Sequence, residues 1–310
     1  MSKLPNYKYK VLPDGMAEIT SYTGGAAVLT VPSMLDGYRV TRIGQAAFYG
    51  SENLTIVTIP NSVTSIGERA FSGCRKMKYV TLPDSVTNIG DQLFDGCWSL
   101  EYIWIPDGVT SIGYRAFANC THLEAIELPK NLKTIGEQAF EACRNLEAIE
   151  LPKNLKTIGY RAFRDCESLT NVTIPDSVTS IGEEAFCGCI SLYEVRFPAG
   201  ISCIPAGAFI SSPPSLVVLP ETVRQVESVA YAECSNLTTV VCEAADEVYF
   251  GNGCFEGSTR LREIIVRDTA LVRCGNGVCE SINPPPTLRF VTEAEMSKII
   301  ELIGGSSHDF

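Results

Sequence analysis

Leu123–Gly136 reads LEAIELPKNLKTIG, and the same fourteen residues recur without a change at Leu146–Gly159. The second copy begins 23 residues after the first. Identity over such a length excludes coincidence, so the two stretches are copies of one duplicated unit. A fixed period of about 20–50 residues is the sequence signature of repeat architectures, in which each unit stacks on its neighbours. The period therefore decides the fold class.

Four residue columns carry the 23-residue period far beyond this pair. The columns are Pro60, Pro83, Pro106, Pro129, Pro152, Pro175 and Pro198; Gly67, Gly90, Gly113, Gly136, Gly159 and Gly182; Phe48, Phe71, Phe94, Phe117, Phe140, Phe163 and Phe186; and Cys74, Cys97, Cys120, Cys143, Cys166 and Cys189. Less regular copies flank them, since Pro32 and Pro60 are 28 residues apart and Pro198 and Pro220 are 22 apart. The sequence thus predicts about ten units, over residues 25–261.

Each unit contains two short stretches in which apolar and polar residues alternate, as in Leu100–Ile105 and Val109–Ile112. Short alternating runs rich in Val, Ile and Thr are typical of strands. Pro106 ends the first strand because it has no N–H to donate, and Gly113 is expected to supply a corner conformation that other residues resist. One unit cannot bury its own apolar face, whereas stacked units place Phe on Phe and Ile on Ile. The predicted fold is a β-rich repeat solenoid.

The unit pattern LxxIxLPxxVTxIGxxAFxxC resembles the BspA-like class of leucine-rich repeats, which occur in bacterial surface proteins. The similarity spans residues 29–261 and is most regular at 55–198. It implies a right-handed, curved coil whose LxxIxLP strands line one face. It also implies adhesion and the binding of host proteins by a secreted or cell-surface protein. The start MSKLPNYKYK has no secretory signal, which fits either a cytosolic protein or a mature region with an added Met; the resemblance favours the second.

The residues outside the repeats are expected to cap the solenoid. Residues 1–28 predict an N-terminal β-hairpin cap, and residues 262–310 predict a C-terminal cap with a rigid Pro-rich spacer at Asn283–Pro286. A short amphipathic helix follows, since Thr292 and Glu295 have the spacing of a capping box. Its apolar stripe is Ile299, Ile300 and Ile303. The helix is interpreted mainly as a cover for the last coil, with a partner-binding or membrane-binding helix as the alternative.

Composition argues against several classes of function. The net charge of −11 and the isoelectric point near 4.8 argue against nucleic-acid binding, since no basic patch is visible. No apolar stretch is long enough for a transmembrane helix, so membrane insertion is not expected. Nucleophilic catalysis needs a positioned base, and the two histidines are His122 in a repeat turn and His308 near the end. We expect no enzymatic activity, no cofactor and no metal site.

The thirteen cysteines have two readings. They could form disulfides between stacked units, because neighbouring strands are close enough for a bridge. Six of them share one repeat column, however, and equivalent thiols in a column have no unique partner. We therefore predict free, buried thiols that serve as small apolar side chains. Cys274 and Cys279 are expected in a turn, with either free thiols or one local disulfide.

Function in a solenoid depends on the positions that stacking leaves free. On the first strand of neighbouring units these positions carry large aromatic residues with acidic residues beside them. The candidate binding residues are Tyr79, Trp98, Tyr102, Trp104, Glu101, Glu124, Glu127, Glu147 and Glu150. Exposed aromatic residues anchor interfaces, and an acidic strip steers a basic partner. The alternative is that the aromatic residues only stabilise the ladder by cross-strand stacking.

These observations favour a non-enzymatic scaffold that binds a protein or peptide. Charge favours a basic ligand, and the resemblance favours a host extracellular protein. Two alternatives remain from the same sequence. The near-identical units suggest a structural spacer for a surface protein, and exposed Tyr and Trp would also suit a carbohydrate-binding surface.

Overall fold

The computed structural model describes residues 6–278 and 285–303. Its strands are β1 (Tyr7–Val11), β2 (Ala17–Tyr22), β3 (Val28–Thr30), β4 (Met34–Leu35), β5 (Tyr38–Ile43), β6 (Ile56–Thr58), β7 (Ser65–Ile66), β8 (Tyr79–Thr81), β9 (Tyr102–Trp104), β10 (Ser111–Ile112), β11 (Ala125–Ile126), β12 (Thr134–Ile135), β13 (Ala148–Ile149), β14 (Thr157–Ile158), β15 (Asn171–Thr173), β16 (Ser180–Ile181), β17 (Glu194–Arg196), β18 (Cys203–Ile204), β19 (Leu216–Leu219), β20 (Gln225–Val226), β21 (Thr239–Cys242), β22 (Glu247–Phe250), β23 (Glu263–Arg267), β24 (Leu271–Cys274) and β25 (Thr287–Val291), and its helix is α1 (Glu293–Leu302). Cys279, His308 and the first half of the Pro-rich spacer lie outside the described residues.

The strands form parallel ladders in which like residues of successive units meet. In the first ladder Val57 pairs with Val80 and Val80 with Ile103, and in the second Ile112 pairs with Ile135. The antiparallel hairpin β1–β2 precedes the ladders, and β2 pairs in parallel with β5. The predicted repeat solenoid with an N-terminal β cap and a short C-terminal helix is therefore confirmed.

The solenoid has about twelve turns rather than the expected ten or so. Parallel pairing continues through β23 and β25, where Ile264 pairs with Leu288, after the proline and glycine columns have faded. The backbone ladder and the apolar alternation that drive stacking need neither of those two residues. The repeat pattern recognised in the sequence ends at residue 261, but the parallel ladder continues to β25.

One stack of aromatic rings runs through the core. Phe117 lies 5.5 Å from Phe94 and 5.3 Å from Phe140 between ring centroids, with interplanar angles of 18° and 4°. The same stacking extends from Phe48 to Phe255 with centroid distances of 5.0–6.0 Å. Offset aromatic pairs contribute about 0.5–1.5 kcal/mol each beyond the burial of their area. The expected contact of like residues is confirmed.

The cysteine column is free and buried, as predicted, and it also donates hydrogen bonds. The Cys120 thiol donates to the carbonyl oxygen of Phe94 at 3.3 Å, and each column thiol makes the equivalent bond to the preceding unit. Where serine replaces cysteine, the Ser212 hydroxyl donates to Phe186 at 2.8 Å and the Ser258 hydroxyl donates to Tyr231 at 2.7 Å. The column thus satisfies a buried carbonyl group in every unit.

The glycine column has a different cause from the one expected. None of its six members has a positive φ, so the conformation is open to any residue. A Cβ at Gly136 would instead lie 2.8 Å from the carbonyl carbon of Gly113 in the preceding coil. At five of the six positions, all except Gly90, a Cβ would lie less than 3 Å from an atom of the preceding coil, so these glycines are needed where adjacent coils approach closely.

Left-handed backbone occurs elsewhere, at two positions of each regular unit that are mostly not glycine. In one unit they are Arg115 and Asn119, with φ of 50° and 60°. Around them alternate N–H groups point to the next coil, and the N–H of Phe117 donates to the carbonyl oxygen of Ala139 at 2.8 Å. The inter-coil hydrogen bonds offset the cost of a left-handed residue, about 1–2 kcal/mol.

Helix α1 begins with the predicted capping box. Thr292 accepts from the N–H of Glu295, whose carboxylate accepts from the N–H of Thr292 at 2.9 Å. The helix does not cover the end of the last coil in the way expected, because Leu288 and Phe290 of that coil remain exposed. It packs instead through Met296 against outward side chains of β21, β23 and β25, namely Val241, Ile265 and Val291.

Replacing Gly136 by Ala should destabilise the fold by about 1–3 kcal/mol, because the new methyl group meets the backbone of the preceding coil. Gly108→Ala is the matched control, since the nearest atom to its Cβ would be 3.6 Å away, and its effect should stay within about 0.5 kcal/mol. Urea denaturation followed by circular dichroism measures both. Equal destabilisation by the two variants would contradict the close-approach explanation.

Cysteine labelling should follow burial. Cys274 is exposed and should react with iodoacetamide in the folded protein, whereas Cys120 and Cys143 should react only after unfolding. Burial raises the pKa of both column thiols, which keeps the reactive thiolate scarce as well as inaccessible. Peptide mapping after a brief exposure, with and without urea, measures this. If Cys120 and Cys143 reacted in the folded protein as fast as they do in urea, the result would argue against stacked coils.

Candidate protein-binding face

The outward side of the first ladder, here called the strand face, carries the candidate residues. In β8 and β9 the middle residues Val80 and Ile103 are buried, and the residues on either side of them are exposed. The register places Tyr79 beside Tyr102 and Thr81 beside Trp104. Alternation along a strand and stacking across strands therefore gather these side chains on one surface.

Tyr79, Tyr102 and Trp104 form an aromatic row on the strand face. Their exposed fractions are 44, 40 and 39 %. Within the part of the chain that the structure describes, no ring contact joins any two of these residues. Cross-strand ring stacking thus does not account for them, and their faces are available to a partner.

Trp98 is placed apart from the aromatic row. It belongs to the turn before β9, where the guanidinium of Arg75 lies 4.5 Å from its ring centroid. This cation–π contact already occupies one face of the indole. The carbonyl oxygen of Trp98 is also 2.8 Å from Nδ1 of His122, an exposed residue of the next turn.

Glu101 is engaged within the protein and differs from the other acidic candidates. Its carboxylate forms an ion pair with Lys78 at 2.7 Å and accepts a hydrogen bond from the hydroxyl of Tyr79 at 2.5 Å. The Lys78 ammonium group and then the Tyr79 hydroxyl lower the pKa of Glu101. Conversely, the carboxylate raises the pKa of both Tyr79 and Lys78. Glu101 therefore orients Tyr79 rather than offering a free charge.

Glu124, Glu127, Glu147 and Glu150, here called the glutamate quartet, continue the strand face beyond the aromatic row. All four are exposed, and Trp104 pairs directly with Glu127. The pairing of β11 with β13 sets the two units side by side, so Glu124 is beside Glu147 and Glu127 is beside Glu150. No ion pair to the quartet occurs among residues 6–278 and 285–303. Like charges at adjacent positions destabilise a ladder.

Helix α1 occupies the far end of the same strand face, which the sequence did not predict. Its buried Met296 packs with Val241, Ile265 and Val291, and Ile299 and Ile300 pack at the edge of this cluster. Val241 and Ile265 alternate with the core residues of their strands and so point outward. A helix-docking surface was not visible in sequence because the last units have lost the repeat markers.

Two concave regions lie along the second ladder and not on the strand face. Their volumes are about 590 and 640 Å³, and they are lined mainly by polar side chains and by glycines of the repeat column. None of the nine candidate residues lines either groove. In the described part of the chain, no three His, Cys, Asp or Glu residues are grouped to hold a metal ion. The same part contains no helix of the length and hydropathy that a bilayer crossing requires.

The repeats of this chain match those of a known protein family. A family model described as a BspA type leucine rich repeat region matches residues 41–170 and 156–273. The chain belongs to this family. Repeats of this kind are scaffolds that generally bind proteins. No curated protein matches the sequence.

Solved structures of bacterial proteins share the architecture of this BspA-type chain. A leucine-rich repeat protein from Bacteroides ovatus is similar with a TM-score of 0.71 and 21 % identity, over 93 % of this chain and 98 % of that chain. A leucine rich cell surface protein from Faecalibacterium prausnitzii has a TM-score of 0.41 and 24 % identity, over 86 % and 94 %. The leucine rich repeat protein of T. pallidum has a TM-score of 0.34 and 28 % identity, over 83 % and 88 %. The similarity to the first of these shows the fold alone.

The phenol of Tyr79 should titrate above its ordinary pKa, and Glu101→Gln should lower that midpoint because the accepting charge is lost. Glu150→Gln is the control and should leave the midpoint in place. The hydrogen bond from Tyr79 to Glu101 stabilises the folded protein at neutral pH. This stabilisation is lost as pH rises through the raised pKa of Tyr79, and it is also lost as pH falls through the lowered pKa of Glu101. NMR of Cζ-labelled tyrosine measures the titration. An unchanged midpoint in Glu101→Gln would disprove the pairing.

Proposed function

We propose that this BspA-type chain is a non-enzymatic scaffold that binds another protein or peptide on its strand face. The observation that carries the proposal is the aromatic row, which is held in register on β8 and β9 yet makes no ring contacts with any other residue that the structure describes. Tyr and Trp are enriched among residues that dominate binding energy, since each buries a large area and offers a polar group. A stiff ladder holds them in place, so little entropy is lost on binding.

The glutamate quartet supports a basic ligand. Its four carboxylates, which form no ion pair with the described residues, extend the surface from the aromatic row over the next two coils. Their mutual repulsion weakens the isolated ladder, and a partner that neutralises them would remove this cost. Opposite charge also accelerates encounter with a basic partner.

We further propose adhesion to a host extracellular protein by a secreted or cell-surface form of the chain. The family resemblance alone supports this part. Fractionation of cells that express the full gene, followed by detection of the protein on intact cells, tests the location. If the protein were found only in the cytosol, the proposed adhesion role would be wrong, whereas the proposed binding on the strand face would not be affected.

The proposal predicts that Tyr102→Ala/Trp104→Ala abolishes capture of a ligand without unfolding the protein, because both side chains are exposed. Wild type and variant, each immobilised, are exposed to extracellular matrix and secreted-protein extracts, and enrichment is quantified by mass spectrometry. The control variant Tyr49→Ala/Tyr114→Ala removes two exposed aromatic residues outside the row. A ligand that depends on the row should bind wild type and control, and should lose about tenfold or more of its affinity for the double variant.

Three results would contradict this proposal in distinct ways. Ligands that bind all three proteins equally would place the binding site elsewhere. Row-dependent binding on a glycan array, without a protein ligand, would favour the carbohydrate-binding alternative. Absence of any ligand, together with normal display of a neighbouring domain, would favour the structural spacer, which the identical units 123–136 and 146–159 also suggest.

A further inference from the structure

The strand face of this protein already holds one ligand of known shape, its own helix α1. Met296 is buried in one cluster with Val241, Ile265 and Val291, which lie on β21, β23 and β25. Leu216 and Val218 of β19 and Ile299 and Ile300 of α1 are partly buried against the same cluster. The outward face of a parallel ladder therefore accepts the apolar stripe of an amphipathic helix.

The aromatic row occupies the equivalent positions of earlier coils. Trp104 and Val218 each lie two residues before the repeat proline of their unit, and Tyr102 and Leu216 each lie four residues before it. Both pairs flank a buried strand residue and point outward. An apolar patch on the same two columns thus occurs twice, once covered by α1 and once exposed.

The width of the exposed patch is the same as that of the surface on which α1 packs, so a helix of similar length would fit both. Helix α1 has ten residues, which gives a length of about 15 Å. The apolar cluster to which it belongs draws on four strands, which span three strand spacings, about 14 Å. From β8 through β9 and β11 to β13, the aromatic row and the glutamate quartet also cover four successive strands. One helix of about three turns would contact the whole of this surface.

From these observations we propose that the exposed patch binds a basic amphipathic helix of a partner protein. This inference rests on the proposed function and names the chemistry of its ligand. The helix presents apolar residues to Tyr79, Tyr102 and Trp104, and Lys or Arg residues of the same stripe to the glutamate quartet. The aromatic row and the glutamate quartet are centred about two strand spacings apart, so the apolar and basic residues of the helix are separated by about two helical turns.

The charges also set the direction of the bound helix. The N-terminal end of a helix carries a partial positive charge, so it is favoured over the glutamate quartet, with the apolar end over the aromatic row. A second copy of α1 does not fit the patch, because Glu293, Glu295 and Glu301 outnumber Lys298.

The test uses synthetic peptides as probes of the full chain. The probe is an eighteen-residue (~27 Å) capped helix with Lys and Arg in its N-terminal half and Leu and Phe in its C-terminal half, all on one stripe. One control peptide has the same composition with the stripe scrambled. A second carries a central Pro that breaks the helix at equal charge. Calorimetry measures affinity, and circular dichroism measures the helix gained on binding.

The protein variants separate the two halves of the patch. Tyr102→Ala/Trp104→Ala and a second variant, with all four quartet residues changed to Gln, should each weaken binding of the probe about tenfold or more. The charge-matched control changes four exposed acidic residues outside the strand face to Gln, at Glu52, Glu68, Glu137 and Glu183. It should bind as wild type does. The quartet variant should be at least as stable as wild type to urea, since like charges are removed.

Each outcome bears on the inference. Preferential binding of the helical probe, lost in both face variants and kept in the control, supports it. If the peptide with the central Pro bound as tightly as the helical probe, the ligand would not need to be a helix. This result would overturn the inference but would still leave a basic peptide as a ligand of the strand face. No binding at millimolar protein, or binding insensitive to the face variants, would overturn the inference as well. The proposed function is judged separately, by whether protein ligands recovered from extracts depend on the aromatic row.

Discussion

The contact between identical positions of successive coils is the constraint on which this structure depends. Phe117 is held between Phe94 and Phe140, and the thiol of the same coil, Cys120, donates to the carbonyl oxygen of Phe94. Backbone ladders can tolerate many sequences, but a ring stack and a buried hydrogen bond fix the register to one repeat. At Gly136 the coils come so close that a side chain has no space. Every outward position is then set by the same register.

That register turns a local duplication into an ordered surface. Because unit follows unit at a constant spacing, substitutions on the outward columns change the chemistry of the face without changing its geometry. The strand face is aromatic at Tyr102 and Trp104, acidic at Glu127 and Glu150, and aliphatic at Val241. The aliphatic part is covered by α1. A scaffold built this way can change its ligand while its core remains constant.

Several parts of the candidate site could be predicted from sequence because they depend on period alone. The outward columns, the exposure of the aromatic residues and the free thiols all follow from alternation and from like-on-like stacking. The pairing of Glu101 with Lys78 and Tyr79 was missed, since it depends on side-chain reach between coils. The position of Trp98 under Arg75 was missed for the same reason. Charge counts along a column cannot show which carboxylates already have partners.

The sequence by itself determined the solenoid, its register and the capping box of α1, because each depends on spacing along the chain. Only the tertiary structure decided that the glycine column serves close approach, that left-handed backbone falls on residues such as Arg115, and that pairing continues to β25. It alone placed α1 on the strand face. These outcomes depend on distances between coils that are far apart in sequence, and the repeat period carries no information about those distances.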